Sequence, residues 1–116
     1  MHRNILSVTL NPSIDVTLWS DGLHPDKVNR VMDEMREIGG KGINVSRVVH
    51  SFGQETLCIA VAGEENCREF AGYLEEESLR YEFIKIPGSV RENLTLRCDG
   101  QTIKLNRKGP ALSEMM

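Results

Sequence analysis

The sequence predicts an α/β fold built around a parallel sheet. Short β-rich runs alternate with amphipathic helical segments, the pattern of parallel β–α–β units. A sharp glycine-rich break, Gly39-Gly40-Lys41-Gly42, stands directly before one of those helices. A hairpin signal near the end of the chain adds antiparallel strands to the parallel core. The length of 116 residues allows about one domain of ordinary size.

Ile5 to Leu10 is β-rich and ends at Asn11-Pro12, a turn signal, so it reads as a buried first strand. In the next strand Ile14, Val16 and Leu18 share one face, and Asp15, Thr17 and Trp19 the other. Asp21-Gly22 and His24-Pro25-Asp26 form a loop. Val28, Val31, Met32 and Met35 fit helical spacing, although extended structure fits nearly as well. After the glycine break, Val45, Val48, Val49 and Phe52 follow the i, i+3, i+4, i+7 pattern of a helix stripe, which Gly53 stops.

Thr56 to Ala62 is a nearly continuous apolar run, expected to be a strand covered on both faces. Asn66 to Ser78 reads as a second helix with Cys67, Phe70, Ala71 and Leu74 inward, and Glu75-Glu76-Glu77 as a solvated face. Tyr81 to Ile86 is a third core strand. Asn93 to Cys98 and Gln101 to Leu105 flank Asp99-Gly100, the residue pair suited to the two positive φ angles of a type I′ turn. Leu94, Leu96, Cys98, Ile103 and Leu105 form its expected buried side.

Composition excludes several function classes. With 14 basic and 17 acidic side chains the formal charge is −3, and aromatics total 5%, which argues against a nucleic-acid partner. No apolar run approaches the ~20 residues that span a bilayer, so no membrane partner is expected. Cys58, Cys67 and Cys98 make no C-x-x-C pair and read as reduced thiols in a cytoplasmic protein. His2, His24 and His50 show no ligand spacing, and no metal site is expected from them.

Three places could carry chemistry. At a helix start, glycines and Lys41 would give a bound anion open backbone N–H groups and a full positive charge. The loop fails the Walker A pattern, because Met35 stands where a glycine belongs and Gly42 where Ser or Thr belongs. It fails the dinucleotide fingerprint too, with Val45 in the place of the third small residue. A glycine turn with a solvated lysine remains the alternative to an anion site. Asp15, just past the Asn11-Pro12 turn, could accept hydrogen bonds from two sugar hydroxyls. Arg91 and Asn93 share parity at the hairpin entry, and Arg91 offers a planar fork matched to phosphate oxygens.

In chain order, Thr9-Leu10-Asn11-Pro12-Ser13-Ile14-Asp15, Gly39-Gly40-Lys41-Gly42-Ile43-Asn44-Val45-Ser46-Arg47, Arg91-Glu92-Asn93 and Leu105-Asn106 resemble the ribokinase-like carbohydrate kinases. The similarity is greatest to the phosphofructokinase B branch, including 1-phosphofructokinase and tagatose-6-phosphate kinase, and runs along essentially the whole chain.

The resemblance implies the N-terminal part of a three-layer α/β/α sandwich with a small β-sheet lid. The lid would be built from about 14–19, 28–36 and 93–105, which turns the helical reading of Val28–Met35 into strand. Asp15 would bind sugar hydroxyls, and Gly39, Gly40, Lys41 and Asn44 would line the sugar-phosphate pocket. Arg91 with Lys41 would hold the phosphate, Asn93 would support that site, and Asn106 would continue the wall. Lys27 would be the lid lysine that reaches toward nucleotide. The implied activity is ATP- and magnesium-dependent phosphorylation of a sugar phosphate, with fructose 1-phosphate expected ahead of tagatose 6-phosphate or fructose 6-phosphate. A homodimer through the lid is implied as well.

The sequence departs from the family in three respects. No Gly-x-Gly-Asp segment, the family's catalytic stretch, follows Asn106, so these 116 residues are expected to be inactive alone. The alternative is a non-catalytic sugar-phosphate-binding or dimerisation module. Arg107-Lys108 stands where relatives carry an acidic residue and proline, and Ser78 where they carry glycine. With part of the fold missing, an open sheet edge and self-association are expected.

Overall fold

A computed structural model describes residues 5–112. Its elements are β1 (Ile5–Thr9), β2 (Ser13–Ser20), β3 (Val31–Gly39), α1 (Lys41–Ser51), β4 (Thr56–Gly63), α2 (Cys67–Glu76), β5 (Arg80–Ile86), β6 (Arg91–Cys98) and β7 (Gln101–Leu105). A three-stranded sheet runs β1-β4-β5, all parallel, and a four-stranded sheet runs β3-β2-β6-β7. In the second sheet β2 is antiparallel to β3 and parallel to β6, and β6 and β7 form an antiparallel hairpin. Asp99 (φ 47°) and Gly100 (φ 78°) supply the two positive angles the hairpin turn requires.

Both helices lie on one face of the three-stranded sheet. Strand register aligns Ser7 with Cys58 and Tyr81, and Thr9 with Ala60 and Phe83, so these side chains point the same way. α1 meets that face through Ser46, whose hydroxyl donates to Ser7 Oγ at 2.7 Å and touches Thr56 Oγ1 at 2.7 Å. α2 meets it through Phe70, whose ring centroid lies 5.6 Å from that of Phe83. Ile14, Val16 and Ile38 of the four-stranded sheet join Ile43, Cys58, Ala60, Phe70 and Leu74 in one continuous core. The opposite face carries Leu6, Val8, Leu57, Ile59 and Ile84, and among the described residues no helix covers it.

Several expectations need correction. β1 is buried on one face only: Ser7 and Thr9 are covered on the helix side, while Leu6 and Val8 are 60% and 59% exposed. On α1 the core contact comes from Ile43 and Ser46, not from the expected stripe; Val49 is half-buried, and Val45, Val48 and Phe52 are exposed. The stripe showed that a helix forms but not which side turns inward. The helix that spacing alone allowed over Val28–Met35 is strand, and it starts only at Val31. β7 is exposed throughout, Ile103 and Leu105 included.

On α2, Phe70 and Leu74 are buried as expected, with Cys67 and Ala71 half-buried. Two carboxylates of the acidic run at its end are tied down rather than merely solvated. Glu75 accepts from the Tyr81 hydroxyl at 2.6 Å, and Glu77 pairs with Arg47. Ser78 then turns the chain at φ 59°, a left-handed conformation that costs a non-glycine residue about 1 kcal/mol.

Candidate sugar-phosphate site

The site begins with the register of β2, which is flanked by β3 and β6. Ser13 pairs with Gly39 of β3 and Arg91 of β6, and two residues on Asp15 pairs with Glu37 and Asn93. Period-two alternation therefore sets Gly39, Ser13, Arg91, Asp15 and Asn93 on one face at one end of the sheet. β3 runs directly into the glycine turn and α1, which brings the helix start to the same place.

The result is a hollow of about 550 Å³, whose lining includes Thr9, Asn11, Ser13, Asp15, Gly40, Lys41, Asn44, Arg91 and Asn93. Six residues expected from sequence meet there: Asp15, Gly40, Lys41, Asn44, Arg91 and Asn93. Gly39 stands just behind, where a Cβ would lie 2.6 Å from Asp15 Oδ2 and 2.8 Å from Ser13 Oγ. Asn106 follows β7 at an exposed position outside the lining, and Lys27 sits exposed on the loop between β2 and β3, also outside it. Sequence reasoning missed Thr9, Asn11, Ser13 and Gly42. Alternation along β1 and β2 could have flagged Thr9 and Ser13, which share the parity of Ser7 and Asp15.

Asp15 is held in place through one carboxylate oxygen. Its Oδ1 accepts from Ser13 Oγ at 2.9 Å and from Asn93 Nδ2 at 3.4 Å. Asn93 Oδ1 in turn accepts from the Arg107 backbone N–H at 3.0 Å, which fixes the amide. Oδ2 faces the space that Gly39 leaves.

α1 starts without a side-chain cap and without an acid in its first turn. Gly40, at φ 138°, is the cap residue, and its carbonyl accepts from Asn44 N–H at 2.9 Å. The N–H groups before Asn44 are the usual unpaired donors of a helix start. The chain passes very close to β1 here. A Cβ on Gly42 would lie 2.5 Å from Thr9 Oγ1 and 2.7 Å from the Val8 carbonyl oxygen.

Arg91 reaches backbone carbonyls of Arg107 at 3.4 Å and Asn11 at 3.3 Å, both long contacts. Its Nε and Thr9 Oγ1 are buried polar atoms without a partner among the described residues, and both residues line the hollow. Such orphaned groups cost about 1–3 kcal/mol each, and a ligand oxygen would relieve them. Arg47 lies one helical turn from Asn44 and donates to its Oδ1 at 2.7 Å. Its hydrogen bond to Glu77 holds the guanidinium above its ordinary range, against the opposing effect of burial.

The lining combines Lys41 and Arg91, open helix N–H groups and one carboxylate. That donor set fits an anion carrying hydroxyl groups. It holds one carboxylate and no aromatic ring, so it does not fit a magnesium–nucleotide complex.

Comparison with known proteins identifies the family and the fold. The profile described as pfkB family carbohydrate kinase matches residues 4–114. Tagatose-6-phosphate kinase from Staphylococcus epidermidis is 33% identical over 108 residues, 93% of this chain and 35% of that protein. A Staphylococcus aureus structure provisionally named a phosphofructokinase superposes with a TM-score of 0.89 at 32% identity, over 96% of this chain and 36% of its own. Phosphofructokinase-2 from Escherichia coli, solved in complex with fructose-6-phosphate, gives 0.84 at 27% identity, over 99% and 38%. The chain thus spans about a third of the length of the relatives it matches, with a ribokinase-like arrangement of strands and helices. It belongs to the pfkB family of carbohydrate kinases.

Proposed function

We propose that this chain forms the sugar-phosphate-binding part of an ATP-dependent kinase acting on a ketohexose monophosphate, fructose 1-phosphate, to give fructose 1,6-bisphosphate. The observation that carries this reading is the convergence of Asp15, Lys41, Arg91 and the open start of α1 on one hollow. In this arrangement Lys41, Arg91 and the helix N–H groups hold the substrate's phosphate. Asp15, steadied by Ser13 and Asn93, accepts from the sugar hydroxyls. These contacts position the acceptor, which is one part of what a protein contributes to phosphoryl transfer.

ATP with magnesium would supply the transferred group, held by residues outside this hollow. Lys27, on its exposed loop, would reach toward that nucleotide. The 116-residue chain provides the acceptor side only, and we expect no turnover from it alone. A homodimer through the four-stranded sheet belongs to the same reading, supported by exposed Val31, Met32 and Met35 on β3 and Ile103 and Leu105 on β7. So does a cytoplasmic location. Among the described residues no helix is long and apolar enough to cross a membrane.

The 33% identical tagatose-6-phosphate kinase favours a second substrate, tagatose 6-phosphate. Thermal melts with fructose 1-phosphate, tagatose 6-phosphate and fructose 6-phosphate test both readings. We expect a saturable rise in melting temperature with one of them, abolished by Lys41→Ala. No rise with any of the three would sink the proposal. ADP release at a normal kinase rate by this chain would overturn the acceptor-only part.

A further inference from the structure

We propose that Arg47 is a positioning residue that turns the Asn44 side-chain amide so that its nitrogen, not its oxygen, serves the hollow. The inference rests on reading that hollow as a sugar-phosphate site. Among the described residues, Asn44 is the lining residue of the hollow to which Arg47 hydrogen-bonds. Its guanidinium has three anchors. NH1 donates to Asn44 Oδ1 at 2.7 Å. NH2 donates to the Ile38 carbonyl at 3.0 Å. Nε and NH2 form a forked pair with the Glu77 carboxylate, at 2.5 and 3.0 Å.

A guanidinium carries donors only, so the atom of the Asn44 amide that faces it must be the oxygen. The amide nitrogen is then the end left for a ligand, with two N–H donors and no partner among the described residues. Asn44 lines the hollow one turn into α1, beside Lys41. With the amide so turned, Asn44, Lys41, Arg91 and the helix start all offer donors. Asp15, on β2, is the lone carboxylate of the lining. The wall is thereby polarised, with an anion-holding end at α1 and a hydroxyl-holding end at β2.

Glu77 gives this device its rigidity from a distant part of the chain. It lies just past α2 and locks the guanidinium plane through two hydrogen bonds. The Ile38 carbonyl immediately precedes Gly39, so the same side chain also ties down the entry to the glycine turn. A lysine at position 47 would keep the charge but could not hold three partners in one plane.

A double-variant cycle separates this role from simple packing. Fructose 1-phosphate and tagatose 6-phosphate are titrated calorimetrically into the unaltered chain, Arg47→Lys, Asn44→Ala and the double variant, with melts in parallel. Arg47→Lys is expected to weaken binding about ten-fold when Asn44 is present, the size of one charge-assisted hydrogen bond. In the Asn44→Ala background the same change is expected to weaken it by less than about two-fold, since the cycle cancels general charge and stability effects. Equal losses in both backgrounds overturn the inference while leaving the site intact. If Arg47→Lys does not fold, NMR of the unaltered chain decides. Saturating sugar phosphate must shift the Asn44 side-chain NH₂ signals, and unmoved signals overturn the role. Binding of neither sugar by the unaltered chain overturns the site reading and this inference together.

Discussion

Over β1 and β4 the two faces of the three-stranded sheet reverse the usual pattern. There the side that packs against the helices holds Ser7, Thr9, Thr56, Cys58 and Ala60, mostly small and partly polar, while β5 adds Tyr81 and Phe83 beneath α2. The side without a helix among the described residues holds Leu6, Val8, Leu57, Ile59 and Ile84. Small residues let α1 come within a hydroxyl's width of the sheet, and that closeness brings the helix start to the edge of the hollow. The larger apolar residues opposite suit contact with another layer. Close packing on one side builds the site, whereas the other side exposes apolar surface of the kind that marks interaction faces.

This contrast can be broken in three ways. The largest effect is expected from Phe70→Ala on the covered side. Phe70 is fully buried against Phe83, and its loss should cost about 3–5 kcal/mol in urea unfolding. A cost below about 1 kcal/mol would mean that α2 is not seated as described. Next comes Gly42→Ala, where the new methyl meets Thr9 and the Val8 carbonyl. Backbone cannot yield as a side-chain tip can, so overpacking should cost about 1–3 kcal/mol. The melting shift with sugar phosphate should vanish along with it. The smallest effect is expected from Leu6→Lys on the bare side. Stability should stay within about 0.5 kcal/mol, while light scattering should show less self-association. A larger destabilisation would show that this face is covered in solution.

Element order was readable from the sequence because strand runs and turn signals are local. Asp99-Gly100 specified its turn through the φ angles that Gly and Asp tolerate. The candidate site was readable too, since Asp15, Lys41 and Arg91 each sit beside a signal for a turn or a helix start. What escaped was the sidedness of the elements. Val45, Val48 and Phe52 form as good a stripe as Ile43 and Ser46, and only the position of β1 decides between them. Over Val28–Met35 the alternation is weak because both faces of that stretch are exposed. Arg47 was passed over because its partner Glu77 lies 30 positions away, and no spacing rule links them.

The placement of β2 between β3 and β6 makes the Asn11-Pro12 corner a gauge for the whole molecule. One extra residue there would rotate every later side chain of the strand by half a turn, sending Asp15 into the greasy interior and Ile14 out to the water. Two ladders, β2–β3 and β2–β6, would have to slip together to absorb it. The tip of the β6–β7 hairpin bears no such constraint, so natural variation in length should gather at that tip and spare the corner.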